Sequence, residues 1–149
     1  MEHLTVYKDT FCISTDPAKL NLQVIHGFLS TAAYWSLNIP FEKVKKAAGH
    51  SLVFGLYHGE QQAGYARIIS DYTSFAYLAD VFVLPEYRGK GLSKWMMQTI
   101  SAHPELQGLR RWVLATKDAH GLYSQFGFTA MAIPGRWMER HDKNVYAQR

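Results

Sequence analysis

A chain of 149 residues with 48% hydrophobic and 19% charged side chains holds enough apolar material for one core and is too apolar to be disordered. Its one cysteine, Cys12, excludes an internal disulfide, and neither C-x-x-C nor H-E-x-x-H spacing occurs, so no metal site is expected. The formal charge of +4 is spread along the chain, and its densest basic run, Lys43, Lys45 and Lys46, reads as the solvated face of a short helix, so no nucleic-acid partner is expected. The opening residues MEHLTVYKDT lack the apolar centre of a signal peptide, and no stretch approaches the roughly 20 apolar residues of a membrane span. The expectation is a cytoplasmic protein with no membrane contact, folded as one domain over 1–149.

Residues 1–9 read as a loosely held arm, and TFCIS (10–14) as a first strand. Asp16-Pro17 starts a helix that continues through Leu22, Ile25, Leu29 and Ala32 at helical spacing. Pro40 opens a second, with Phe41, Val44 and Ala48 on one face. SLVFGLY (51–57), AGYARIIS (63–70) and FAYLADVFVL (75–84) form a meander of three strands joined by short turns, the last apolar enough to be buried on both faces. Leu92, Trp95, Met96 and Ile100 mark a helix ending before His103-Pro104. A strand at 110–116, a helix at 118–126 and strands at 128–133 and 136–140 complete the reading, the last two separated by the Pro134-Gly135 turn. A meander followed by a βαβ crossover predicts an α/β (α+β) fold: a mixed, mostly antiparallel sheet with helices on both faces.

The sharpest signal is VFVLPEYRGKGLSK (81–94), a buried strand running through a glycine-containing basic loop into an amphipathic helix. The first turn of a helix leaves N–H groups unpaired and partly positive, glycines let backbone approach a ligand closely, and Arg88 and Lys90 add charge. The expectation is a phosphate-binding turn, and the alternative is an ordinary strand-to-helix connection. It is not a P-loop, and of the dinucleotide fingerprint only Gly89 and Gly91 fit, because position 94 is lysine.

These residues resemble the acetyl-CoA loop of the GNAT superfamily of N-acetyltransferases. The family pattern Q/R-x-x-G-x-G/A reads here Arg88-Gly89-Lys90-Gly91-Leu92-Ser93, with serine in place of the usual last small residue. LATKDAHGLYSQFGF (114–128) resembles the family's second block: Ala119, Leu122, Tyr123, Gly127 and Phe128 fall in place, and Thr116 stands where many relatives carry asparagine. The likeness covers roughly residues 50–133 well and the first 49 weakly.

The resemblance implies a GNAT-like sheet with a splayed central pair of parallel strands, here those ending near Val83 and Thr116, with acetyl-CoA as cosubstrate in the split. It implies that backbone groups of Val81, Phe82 and Val83 bind the pantetheine arm, that one of their N–H groups stabilises the developing oxyanion, and that N–H groups of Gly89 to Lys94 hold the pyrophosphate. Thr116 and Ala119 belong to the same cofactor set. Tyr123 matches the family's general acid, a phenol that stays protonated at neutral pH and protonates the leaving sulfur. Asp80 interrupts an apolar strand, a costly place for a carboxylate. Three assignments stay open for it: base for the acceptor amine, partner of a cationic substrate, or salt-bridge partner of Arg67. Relatives that carry a glutamate one residue earlier have their counterpart in Ala79, so a water relay is a further route for the proton. His120 is not assigned the base on its spacing alone.

The acceptor is expected to be a small-molecule primary amine, attacked directly in a ternary complex, with Tyr34, Trp35, Tyr72, Tyr77, Trp137 and Glu139 as candidate contacts. The alternatives are a non-catalytic acyl-CoA-binding module and a protein N-terminal or lysine acetyltransferase. Relatives are often homodimers, but nothing in the sequence specifies the oligomeric state.

Overall fold

The computed structural model describes residues 2–147. Six strands and four α-helices follow in chain order: β1 (Thr5–Lys8), β2 (Phe11–Ser14), α1 (Leu22–Thr31), α2 (Phe41–Gly49), β3 (Leu52–His58), β4 (Gln61–Ser70), β5 (Phe75–Val83), α3 (Leu92–Ser101), β6 (Arg111–Val113) and α4 (His120–Ser124). They build a single sheet in the order β1-β2-β3-β4-β5-β6, antiparallel throughout except for the parallel pair β5–β6. The expected mixed, mostly antiparallel sheet with helices on both faces is what the chain forms.

Strand alternation sorts the core into two layers. Phe54, Leu56, Ile68 and Leu78 pack on Met96, Met97 and Ile100 of α3. Val53, Tyr65 and Phe82, on the opposite face, pack on Ile25 and Leu29 of α1 and Val44 and Ala48 of α2. Gly64 lies between β3 and β5 with no room to spare: a Cβ there would stand 2.6 Å from the backbone oxygen of Phe82. Gly64→Ala should therefore lower stability by about 1–3 kcal/mol, the usual cost of overpacking; an unchanged urea midpoint would show that β4 and β5 can separate freely.

Several boundaries differ from the sequence reading. Residues 5–8 are not a loose arm. They form β1, paired with β2 through a two-residue turn in which Asp9 takes a φ of 53°, a left-handed conformation that aspartate tolerates. The helix expected from Asp16 is interrupted: a 3-10 turn at Pro17–Lys19 ends at extended Leu20, and α1 starts afresh with the Asn21 carboxamide accepting from the Val24 N–H. The strand expected at 110–116 keeps its ladder only over Arg111–Val113, and the helix expected at 118–126 is only the five residues of α4.

The strands expected at 128–133 and 136–140 do not form; a 3-10 turn at Pro134–Arg136 is the only regular structure there. Strand propensity is realised only against a partner, and the chain past Phe128 leaves the free edge of β6. Phe128 packs into the α3 layer, Trp137 comes to rest with its ring 4.9 Å from the Arg111 guanidinium carbon, and Tyr146 reaches the α1/α2 layer with the Lys43 ammonium 5.0 Å from its ring.

Strand β5 also differs in its exposure. It is buried on both faces near Phe82 and Val83, but Tyr77 is 36% exposed on the α1/α2 face, beyond the reach of those helices.

Candidate functional site

β5 and β6 are joined for only three rungs, Phe75–Arg111, Ala76–Trp112 and Tyr77–Val113. β5 runs on to Val83, so above Tyr77 its β6-facing backbone groups meet no strand. The departure coincides with a β-bulge. Between Tyr65–Phe82 and Arg67–Ala79 the register slips, giving β5 one residue more than β4, and within it Asp80 has a φ of 56°. A bulge bends its strand and sharpens the local twist. It also re-aims a side chain. Plain alternation would send Asp80 to the face opposite Ala79, into the apolar layer under α3. The extra residue returns it to the α1/α2 face, beside Arg67.

There the carboxylate is fully engaged. Its Oδ2 accepts from Arg67 Nε at 2.6 Å and its Oδ1 from Trp35 Nε1 at 2.8 Å. The guanidinium also donates to the Ser51 hydroxyl at 3.3 Å. Of the assignments left open for Asp80, the Arg67 salt bridge is the one present in the structure. Trp35 and its neighbour Tyr34 lie on the connection from α1 to α2, and they span the split. While Trp35 holds the bulge of β5, the Tyr34 hydroxyl accepts from the Lys117 N–H just past β6, at 3.0 Å. Ser51 and the Trp35–Asp80 link carry no local sequence signal, because each joins positions 16 or more residues apart.

The upper end of the split opens onto the glycine loop. Its base is pinned by Arg88 Nε on the Val83 carbonyl at 2.9 Å, by the Tyr87 hydroxyl on the Gln61 side chain at 2.9 Å and by Leu84 N–H on the Ala63 carbonyl at 2.8 Å. Arg88 thus serves the loop's shape as well as its charge. Gly89 and Gly91 have φ of 81° and 73°, in the region that favours glycine. Gly91 caps α3 without a side-chain hydrogen bond, and the first i→i+4 bond of the helix is that of Trp95 N–H to the Gly91 carbonyl. The N–H groups of Leu92, Ser93 and Lys94 therefore lack helical partners.

An open groove of ≈ 280 Å³ lies against this turn, walled by Val83, Arg88, Gly89, Gly91, Leu92, Ser93 and Lys94, with Leu122 of α4 opposite. Most of the sequence-predicted cofactor set meets here. Val81, Phe82, Thr116 and Ala119 are not among its walls, and Lys90 borders a separate hollow with Lys8 and Phe11 of the β1–β2 hairpin.

On the other side of the split, the Thr116 hydroxyl accepts from the Ala119 N–H at 3.1 Å, closing the turn into α4, and Ala119 packs on the α3 layer. Tyr123 is 8% exposed, with its ring edge-on to Phe128. Burial, with smaller contributions from the Tyr34 phenol and the Asp118 carboxylate, pushes its hydroxyl up to about 12. It is a firmly protonated donor at neutral pH.

Of the candidate acceptor contacts, Tyr34, Trp35 and Tyr77 gather at or just below the split, and Trp137 lies against Arg111, two residues before Val113 on β6. Tyr72 does not join them, because it packs in the α3 layer near Glu105. Glu139 is exposed on the C-terminal segment. Among the described residues no group of three or more His, Cys, Asp or Glu could hold a metal ion, and no helix is long and apolar enough to cross a membrane.

Comparison with known proteins agrees with this architecture. The acetyltransferase (GNAT) domain family matches residues 49–130. A Gibberella zeae protein that bears an acetyltransferase name is 33% identical over 137 residues, covering 77% of this chain and 76% of its own. A crystal structure of a protein assigned to the GNAT family from Xanthomonas campestris pv. campestris superposes with a TM-score of 0.92 at 48% identity, covering 95% of this chain and 100% of that one. A Clostridium acetobutylicum structure described as an acetyltransferase with acetyl-CoA shares the fold at 14% identity, with a TM-score of 0.65 over 94% of this chain and 95% of that one. With its parted parallel strands, glycine loop and matched second block, the chain belongs to the GNAT family of acetyltransferases.

Proposed function

We propose that this protein transfers an acetyl group from acetyl-CoA to the primary amine of a small molecule, by direct attack in a ternary complex. The observation that carries the reading is the parting of β5 from β6 above the Tyr77–Val113 rung, continuous with the glycine loop and the uncapped start of α3. The loop fits a diphosphate: an added Cβ at Gly89 or Gly91 would meet no protein atom within 4 Å, so the shell around both is open to a ligand. On this reading the N–H groups from Gly89 to Lys94 hold the pyrophosphate, and the free edge of β5 from Val81 to Val83 takes the pantetheine arm as an added strand.

The amine lone pair forms the new C–N bond as the thioester C–S bond breaks. Acetyl-CoA supplies the activated acyl group, a backbone N–H of β5 polarises its carbonyl, and Tyr123 gives its proton to the departing thiolate and regains one from solvent. The amine must also lose a proton. Protonating Asp80 would forfeit its charge-assisted contact with Arg67, so we assign that proton to a water relay and give Asp80 the task of holding the bulge and Trp35 in place. Asp80→Asn should accordingly leave the shape of the pH–rate profile unchanged while costing about 1–2 kcal/mol of stability. Loss of the acidic limb of that profile would make Asp80 the base.

Calorimetric titration with acetyl-CoA, followed by measurement of CoA release with added amines, tests the reading. Micromolar binding and amine-dependent release are expected. Binding without release for any amine would leave a cofactor-binding module, and no binding would overturn the proposal.

A further inference from the structure

The N-acetyltransferase reading, on which this inference rests, leaves the acceptor unspecified. Ile69, Tyr77 and Val113 register side by side across β4, β5 and β6, on the last rung before the split, and so share the α1/α2 face. Ile69 is 45% exposed there, beside the part-exposed Tyr77. Where the strands part, Tyr34 and Trp35 have their polar tips tied down by Lys117 and Asp80, yet the two residues stay 52% and 43% exposed. Trp137, from the C-terminal segment, lies against Arg111, two residues before Val113 along the same face of β6. Large apolar side chains grouped in this way, rimmed by polar groups, mark a binding surface.

The charges narrow the choice. The carboxylate of Asp80 is matched by Arg67. Arg111 and Lys117 stand at the rim, each over an aromatic ring, and neither has a carboxylate within salt-bridge distance among the described residues. A polycation would meet the positive charges of Arg111 and Lys117 on this face, where the carboxylate of Asp80 is already matched.

We propose that the acceptor is a primary amine carrying one flat aromatic or bulky apolar group and no second positive charge. The apolar group lies on the Ile69–Tyr77–Val113 row between the rings of Trp35 and Trp137, with its amine directed to the split near Asp80.

The test compares phenethylamine, ethylamine and spermidine at saturating acetyl-CoA, following CoA release. Phenethylamine should exceed both of the others in kcat/KM by about 10-fold or more, the discrimination an apolar pocket commonly achieves. Ile69→Ala and Tyr77→Ser should each remove most of that advantage through KM for the amine, while the acetyl-CoA titration stays as in wild type. If acetyl-CoA binds but phenethylamine is not preferred, or if none of the three is turned over, the substrate class is overturned and the cofactor site stands. If acetyl-CoA does not bind, the underlying reading falls and the inference with it.

Discussion

Tyr123→Phe should lower kcat about 100-fold or more and leave acetyl-CoA affinity within about twofold, the split expected when a proton donor acts only in the transition state. The substitution is conservative for packing. Tyr123 is 8% exposed, its ring centroid lies 6.1 Å from that of Phe128, and phenylalanine retains both the burial and that contact. What is lost is a hydroxyl that burial holds protonated up to about 12.

The same raised value has a consequence for stability. Below the ordinary phenol value of about 10 the group is neutral in both folded and unfolded chains and favours neither. As pH rises from there towards 12, the unfolded chain releases the proton first, so the folded state loses stability. The Phe variant lacks this loss at position 123, and its stability relative to wild type should rise over that window in denaturant titrations. Buried Tyr57 and Tyr65, also raised by burial, make the remaining decline common to both proteins. Equal losses of kcat and acetyl-CoA affinity would instead make Tyr123 a packing residue.

The second large effect belongs to Gly91. A tryptophan there should reduce acetyl-CoA affinity by more than about 100-fold, while Gly91→Ala should cost much less. The two variants share the strain of a side chain at a φ of 73°, roughly 1–2 kcal/mol. They differ in what fills the groove. Beyond its chain neighbours no protein atom lies within 4 Å of a Cβ at this position, so the side chain starts into open space on the groove where the pyrophosphate is proposed to lie. Calorimetry on both variants, with thermal unfolding to confirm comparable folding, separates strain from obstruction. Equal affinities in the two would place the diphosphate elsewhere. Gly64 makes the contrast, since there the glycine serves the sheet and its substitution should show in stability.

The central frame was readable because its signals are local. Apolar runs bounded by short polar turns marked β3, β4 and β5, and helical spacing marked α1 and α3. The glycine loop combined a strand, two glycines and an amphipathic helix within 14 residues, and the structure places its backbone around one groove. The ends were misread because there the outcome depended on partners. Thr5–Lys8 is only four residues long and becomes a strand by pairing with β2, whereas FTAMAI at 128–133 has strand composition but no ladder to join. The role of Asp80 was undecidable locally for the same reason. Its surroundings are assembled from Trp35, Ser51 and Arg67, on three different parts of the chain.

The bulge at Asp80 separates what the fold needs from what the chemistry needs. With that residue left out, β5 still reads as a faultless alternation: Leu78, Val81 and Val83 toward α3, and Ala79 and Phe82 toward the other layer. The hydrophobic pattern is that of an unbroken strand, and the carboxylate is an interpolation within it. Excising one codon would therefore leave every inward-facing side chain on its own side of the sheet while abolishing the kink. An unbroken strand and the bent one that parts from β6 are, in this sense, one residue apart.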